Sequence, residues 1–266
     1  MSVILVCYAD GPSVHLRNQG ALVRSAAGAG IDRVLARRRA DIAPEFHRAH
    51  RPILEVRRGA GCWLWKPYVI HEALAQAEPD DVVVYLDAGI VIRRSLEPLI
   101  AETRRRGLVV FGSARPHSAW TKRDCFVLTG TDVPECHRAP QVQACAVLVR
   151  NTEANRRFVK TWLDYCADDR VLTDRPNACG EPNLPGFVDH RHDQATLSVL
   201  LWRERDRLDH FVARESLKRQ HLVHHRRRTG GVPIGLWRVR NHLRTVWSAM
   251  KRDPRLRRLS RDPALR

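Results

Sequence analysis

Three short stretches of the chain bring together side chains able to do chemistry. In the first, the apolar run Asp81 to Leu86 stops at Asp87, and Gly89 follows. A carboxylate at the C-terminal end of a parallel strand lies where open α/β sheets bind ligands. Glycine beside it lets the backbone approach such a ligand closely. Asp87 can act on a phosphate-bearing ligand directly or through Mg²⁺ or Mn²⁺, which favour oxygen donors. The plainer alternative is a strand-end Asp that caps the next turn.

The second stretch, His190-Arg191-His192-Asp193-Gln194, precedes an apolar helical pattern. Asp193 and Gln194 can orient hydroxyl groups in a cleft; otherwise the stretch is a polar helix start, with Asp193 stabilised by the helix N-terminus. The third holds His221, His224 and His225 with Arg226 to Arg228. A histidine there suits a metal and the guanidinium fork suits a diphosphate, against the alternative of a solvated basic run. Upstream of Asp87, Trp63, Trp65 and Tyr68 surround Lys66. One of the tryptophans is expected to pack, with Lys66 directed at a phosphate.

The elements that must position these groups follow from pattern. Val3 to Tyr8 is a continuous apolar run suited to a buried parallel strand. Leu16 to Ala29 reads as a helix, Ile31 to Ala36 as a strand, Asp41 to His50 as a helix and Pro52 to Val56 as a third strand. That β-α-β-α-β order predicts a parallel sheet covered on both faces. Pro67 suits the first turn of a helix running to about Ala77, and Asp81 to Leu86 is then the fourth strand. Ser95 caps a helix over Leu96 to Arg105, and Leu108 to Phe111 and Val142 to Val149 are strands. Gly112 to Pro140 reads as a long irregular loop, a feature that usually carries function. A helix capped by Asn151 or Thr152 runs to about Cys166, with Phe158, Val159, Trp162, Leu163 and Cys166 as its apolar stripe. Asp168 to Pro185 is a second loop. Ala195 to Glu204 is a helix, and Phe211 to Ser216 a last short strand. Gly230-Gly231-Val232-Pro233 looks like a linker to an amphipathic helix bearing Leu236, Val239, Leu243, Val246, Trp247 and Met250 on one face.

Composition sets the bounds. The 266 residues are 44% hydrophobic, enough for a sizeable core. No stretch reaches the roughly 18 apolar residues of a membrane span, and the first residues read as a strand rather than a signal peptide. Seven cysteines, an odd number without a Cys-x-x-Cys pair, favour a reducing cytoplasm over a disulfide framework or a zinc site. Net charge is +17. From Arg214 to Arg266, 16 basic less 3 acidic residues give +13, which leaves +4 for the rest. So basic a tail seeks polyanions such as phosphate-bearing substrates, nucleic acid or anionic lipid; with Trp237 and Trp247 it also fits an interfacial helix. The P-loop, dinucleotide and serine-hydrolase signatures are absent from the sequence.

Taken in order, Trp65-Lys66-Pro67-Tyr68, Tyr85-Leu86-Asp87-Ala88-Gly89 and His192-Asp193-Gln194 resemble the GT-A fold of nucleotide-sugar glycosyltransferases, and more narrowly a bacterial group with a WKPY…YLDAG…HDQ pattern. The resemblance runs from about residue 2 to 228. It implies a three-layer α/β/α domain over residues 1–228 with a mostly parallel central sheet, and a basic extension over 229–266. It places the nucleoside at Tyr8, Ala9 and Asp10. It sets Lys66 and Arg226 on the donor phosphates, with Asp87, Gly89 and His192 also on the donor side. Asp193 and Gln194 become the catalytic pair, on the acceptor side or facing the sugar. The acidic motif of the family is usually Asp-x-Asp; here it is Asp87-Ala88-Gly89, without the second carboxylate. A divalent Mn²⁺ or Mg²⁺ would then rest on Asp87 and a late histidine, His224, with His225 as alternate.

The implied reaction moves a hexose from a nucleoside-diphosphate sugar to a glycan or lipid-linked acceptor of surface polysaccharide. It would take place in the cytoplasm or peripherally at the inner face of the plasma membrane, with no nucleic-acid partner. It passes an oxocarbenium-like transition state and needs positive charge where the departing phosphate becomes negative. If Asp193 is the base the reaction inverts; if Gln194 or the donor phosphate assists from the front it retains. Two rivals stand beside this reading. One is a nucleotide-sugar-binding protein without turnover, favoured by the missing carboxylate. The other is a nucleic-acid-binding protein, suggested by the charge but lacking an aromatic-interleaved basic sheet motif.

Overall fold

The computed structural model describes residues 1–224. Its eight strands are β1 (Val3–Tyr8), β2 (Arg33–Arg37), β3 (Val82–Leu86), β4 (Ile90–Ile92), β5 (Leu108–Pro116), β6 (Pro140–Arg150), β7 (His210–Ala213) and β8 (Leu222–His224). Every residue of β1 and β3 is buried, as continuous apolar runs require when both faces of a strand are covered. The main sheet has the order β2-β1-β3-β6-β5-β7. β1 pairs in parallel with β2 and β3, β6 runs antiparallel to both β3 and β5, and β7 pairs in parallel with β5. All strands of this sheet but β6 therefore point one way. β4 and β8 form a small antiparallel pair.

The longer helices are α1 (Ser13–Ser25), α2 (Trp65–Ala75), α3 (Glu97–Arg106), α4 (Glu153–Cys166), α5 (Asp193–Arg203) and α6 (Glu215–His221). Alternate residues of β3 serve opposite layers. Val83 and Tyr85 join the core shared with α2, α4 and α5. Val82, Val84 and Leu86 join the one built with Leu22 of α1 and Leu99 and Ile100 of α3. The result is a three-layer α/β/α arrangement. Asp87 has the parity of Tyr85, so its side chain belongs to the α2 and α5 side. α4 carries the apolar stripe expected of it, and Thr152 caps it by accepting the Asn155 N–H.

Several elements depart from expectation. The strand expected over 52–56 is a helical turn, Arg51–Leu54, with Pro52 in its first turn where a missing N–H costs nothing. Asp87 therefore ends the third strand, not the fourth. The irregular stretch 112–140 begins as the continuation of β5 and holds short helices at His117–Trp120, Arg123–Leu128 and Pro134–Arg138. Within the loop expected over 168–185, Asp169–Leu172 is helical. The last expected strand stops at Ala213; beyond it α6 forms, with Glu215 in its first turn and basic residues in its last, as the helix dipole favours. The expected domain boundary at 228, the candidates His225 and Arg226, and the amphipathic helix over 236–250 lie outside the described residues.

Candidate functional site

The site grows from the end of β3. The Tyr85 hydroxyl donates to Asp87 Oδ1 at 2.7 Å, and the Asp87 backbone N–H donates to the Cys145 carbonyl on β6 at 2.9 Å. These two bonds fix a carboxylate whose side chain stays 32% exposed. Beneath it lies Lys66, in the first turn of α2. Its Nζ is 3.4 Å from Asp87 Oδ1 and 2.8 Å from Asp193 Oδ2, and it sits 5.5 Å from the Tyr85 ring centre. Burial disfavours the lysine's charge, but Asp193 and then Asp87 outweigh it and raise its pKa. Asp193 is the first residue of α5. Burial pushes its pKa up to about 6, against the pull of Lys66 and with a smaller push from Asp87. The Lys66 ammonium is the cation that pairs with its Oδ2.

A strained segment delivers Lys66 to this position. Ala60, Cys62 and Trp63 have positive φ, and Gly61 has φ +94°. A Cβ on Gly61 would meet Leu54 Cα at 2.8 Å, and one on Gly59 would meet the Trp63 ring at 2.4 Å. Glycine is required at both places. Just after the segment, Trp65 donates from Nε1 to the Gly59 carbonyl at 3.2 Å and stacks on Tyr8 with ring centres 4.2 Å apart. Pro67 falls in the first turn of α2, where its missing N–H is harmless. Trp65 is therefore a packing tryptophan, and its stack ties the end of β1 to the start of α2.

Gln194 is half-buried beside Asp193 and donates to Gln141 Oε1 at 2.9 Å; the Gln141 amide donates in turn to the Trp120 carbonyl and Thr121 Oγ1. Arg115 and Arg191 both lie over the Trp120 ring, at 4.7 and 4.5 Å. Ala9 and Asp10 line a cavity of about 710 Å³ with Arg38, Arg39 and Arg48 at its walls. Tyr8 is buried beneath its stack with Trp65 rather than lining that cavity. Gly89 follows in the turn between β3 and β4.

His192 is turned into the interior. It is buried, and its ring bonds the Leu172 carbonyl through Nδ1 at 2.8 Å. Burial lowers its pKa, so it is a neutral interior group at the start of α5. Its backbone carries a φ of 50°, a conformation that orients Asp193. His190 is likewise interior, accepting the Lys122 N–H and bonding the Val171 carbonyl.

The two residues expected to hold a divalent ion, Asp87 and His224, each meet other side chains. Asp87 Oδ1 is engaged by Tyr85 and Lys66. His224, at the end of β8, has Nε2 3.1 Å from the Lys218 ammonium and 3.9 Å from Cys145 Sγ. A lysine thus stands against each candidate ligand. Among the described residues, no group of three or more His, Cys, Asp or Glu side chains could hold a metal. Lys218, Cys145 and Gln141 carry no signal in the sequence: Lys218 meets Gln143 and Cys145 across 75 and 73 residues, Cys145 meets His224 across 79, and Gln141 meets Gln194 across 53.

No protein-family model matches the chain, and no curated protein does. Solved structures similar to it include mouse xyloside xylosyltransferase 1, 10% identical, covering 80% of this chain and 85% of that one with a TM-score of 0.45. Another is a glycosyltransferase involved in glycosylation of the major capsid of PBCV-1, 9% identical, covering 93% and 100% with a TM-score of 0.42. A third is the galactosyltransferase LgtC in complex with donor and acceptor sugar analogues, 16% identical, covering 74% and 70% with a TM-score of 0.39.

Proposed function

We propose that this chain is a glycosyltransferase of the GT-A type that moves a hexose from a nucleoside-diphosphate sugar to a glycan or lipid-linked acceptor of surface polysaccharide. The observation that carries the reading is the convergence of Lys66, Asp87 and Asp193, from three separate elements, at the C-terminal end of a central strand. That is where open α/β sheets bind ligands. The basic cavity at Ala9 and Asp10 suits the nucleoside diphosphate. All seven cysteines are free thiols, in keeping with a reducing compartment.

In the reaction, the bond between the sugar's anomeric carbon and the β-phosphate oxygen breaks, and a bond from the acceptor hydroxyl oxygen to that carbon forms. The hydroxyl proton passes to the departing diphosphate. Lys66 meets the charge that develops there, in a site with little water, where such an interaction is strongest. Asp87, the exposed member of the trio, faces the donor's sugar, and Asp193 positions Lys66 from beneath. Because the Asp193 carboxylate is covered, assistance comes from the front face, through Gln194 or the donor phosphate, and configuration is retained.

The test is incubation with nucleotide-sugar donors and candidate acceptors, following release of nucleoside diphosphate and reading the anomeric configuration of the product by NMR. Transfer with retention supports the reading. A panel in which no donor binds overturns it. The single carboxylate of Asp87-Ala88-Gly89 favours a second reading, donor binding without turnover, which calorimetric binding with no release across the acceptor panel would establish.

A further inference from the structure

Trp120 carries two guanidinium groups. Arg115 Cζ lies 4.7 Å and Arg191 Cζ 4.5 Å from the centre of its ring. The ring face attracts each cation but leaves its charge uncancelled. Among the described residues no carboxylate comes within ion-pair distance of either group. The acids nearest in sequence to Arg191 are already engaged: Asp189 by both ends of the Arg58 fork, at 2.6 and 3.2 Å, and Asp193 by Lys66 at 2.8 Å. Arg191 Nε is buried and has no hydrogen-bond partner among the described residues. Burial, and then Arg115, lower the Arg191 pKa, ahead of the opposite pull of Asp189. Arg115 is exposed, and Arg191 and Trp120 are half-buried, so a ligand can reach all three.

The backbone fixes this cluster beside the proposed site. The Arg191 N–H donates to the Trp120 carbonyl at 3.1 Å, and the Val188 N–H to the Ala119 carbonyl at 2.8 Å. The Trp120 carbonyl also accepts from Gln141, which in turn accepts from Gln194. Gln141 alone therefore joins the cluster to the residue proposed to assist from the front face. The sheet says which substrate the cluster meets. β5 runs with β3, and β6, running against both, begins where they end. Arg115, next to last in β5, thus stands at the same edge as Asp87. In the strand order the cavity at Ala9 and Asp10 belongs to the β1 side of β3, and Arg115 to the β5 side. The nucleotide takes the first side, which leaves the second to the acceptor.

We infer that Arg115 and Arg191 bind an oxyanion of the acceptor, so that the sugar passes to an acidic saccharide rather than a neutral one. The inference rests on the transferase reading above and deepens it by naming the chemical class of the acceptor. The anion is a carboxylate of the acceptor sugar, as in a hexuronic acid, or a phosphate on its anomeric oxygen, as in a lipid-linked sugar. The planar guanidinium fork matches either. Held on the β5 side, the acceptor's anion does not compete with the donor's diphosphate for the same cations.

The experiment is calorimetric titration of the full chain. The nucleoside diphosphate it binds is identified first, among UDP, GDP, dTDP and CDP. With that nucleotide saturating, methyl hexuronosides, hexose 1-phosphates and the matching neutral methyl hexosides of the gluco, galacto and manno series are titrated into the wild type, Arg115→Gln, and Arg115→Gln with Arg191→Gln. At least one acidic member should bind roughly tenfold or more tighter than its neutral partner. Arg115→Gln should reduce that preference by about threefold or more, and the double substitution should abolish it, with nucleotide affinity kept within about twofold. Preference for the uronosides or for the phosphates supports the inference and fixes the source of the anion. Circular dichroism melting checks folding; Arg115 is exposed, so its single variant keeps the test open if the double variant does not fold. Equal binding of acidic and neutral members, binding of none, or an acid preference that survives both substitutions overturns the inference, while nucleotide binding leaves the transferase reading intact. Failure of all four nucleotides to bind overturns both.

Discussion

The Lys66 ammonium lies 2.8 Å from the Asp193 carboxylate, and each side chain is only 4% exposed. Such a pair is weak evidence of net stability, because desolvating two charges offsets much of their attraction. Removing one partner is another matter. Lys66→Met leaves Asp193 buried and uncompensated, and should cost about 3–5 kcal/mol in urea unfolding. Lys66→Met with Asp193→Leu should recover most of that loss while abolishing transfer. A single variant as stable as the wild type would show that the ion pair is not formed.

The same carboxylate sets a pH dependence. Its folded pKa of about 6 stands above its ordinary 3.8. Between those values the native protein keeps a proton that the unfolded chain releases. Stability from this group is therefore fully present below the ordinary value and is lost as pH rises through about 6. The loss is on the order of 2–3 kcal/mol. Asp193→Asn, which cannot titrate, should flatten this part of the stability profile. Unfolding midpoints of the two proteins across this pH range decide it: parallel curves would contradict the raised pKa.

Much of the fold was legible because burial on both faces writes itself into composition. Val3 to Tyr8 and Val82 to Leu86 are apolar throughout, and the stripe from Phe158 to Cys166 has helical spacing. Asp87 and Lys66 were legible from position alone, at a strand end and beside a turn. Lys218 was not. It sits on a seven-residue helix, and its acceptors Gln143 and Cys145 are 75 and 73 residues away, so only the folded chain brings them together. Pro52 misled for the opposite reason: a short apolar run after a proline suits a strand or a first helical turn equally well, and the choice was made by packing of Ile53 and Leu54.

The strained segment before α2 predicts a contrast between two glycines. Gly61 and Gly180 both have positive φ, but a Cβ on Gly61 meets the Leu54 backbone, whereas one on Gly180 meets nothing within 4 Å. Gly61→Ala should combine backbone strain with overpacking and cost about 2–4 kcal/mol. Gly180→Ala carries the strain alone, about 1 kcal/mol. Because the segment aims Trp65 and Lys66, Gly61→Ala should also weaken nucleotide binding at temperatures where it remains folded. Equal melting temperatures for the two variants would refute the contact argument.

Asp87 is the member of the trio that a ligand can reach, and this separates its role from that of its neighbours. Asp87→Asn keeps the shape and retains an acceptor for the Tyr85 hydroxyl at Oδ1, so stability should change by less than about 1 kcal/mol. What it removes is charge. Lys66 then has Asp193 as its one carboxylate, and the electrostatic balance around the donor's diphosphate shifts at the atoms where negative charge develops. Turnover should fall by roughly 10²-fold or more, as for loss of one preorganised group in such a site. Nucleoside-diphosphate affinity should change far less, because the negative charge that is lost lies near the phosphate and opposes its binding. Measuring turnover and calorimetric affinity on the same preparation tests this: a parallel loss of both would make Asp87 a binding residue only, and no loss of either would remove it from the site.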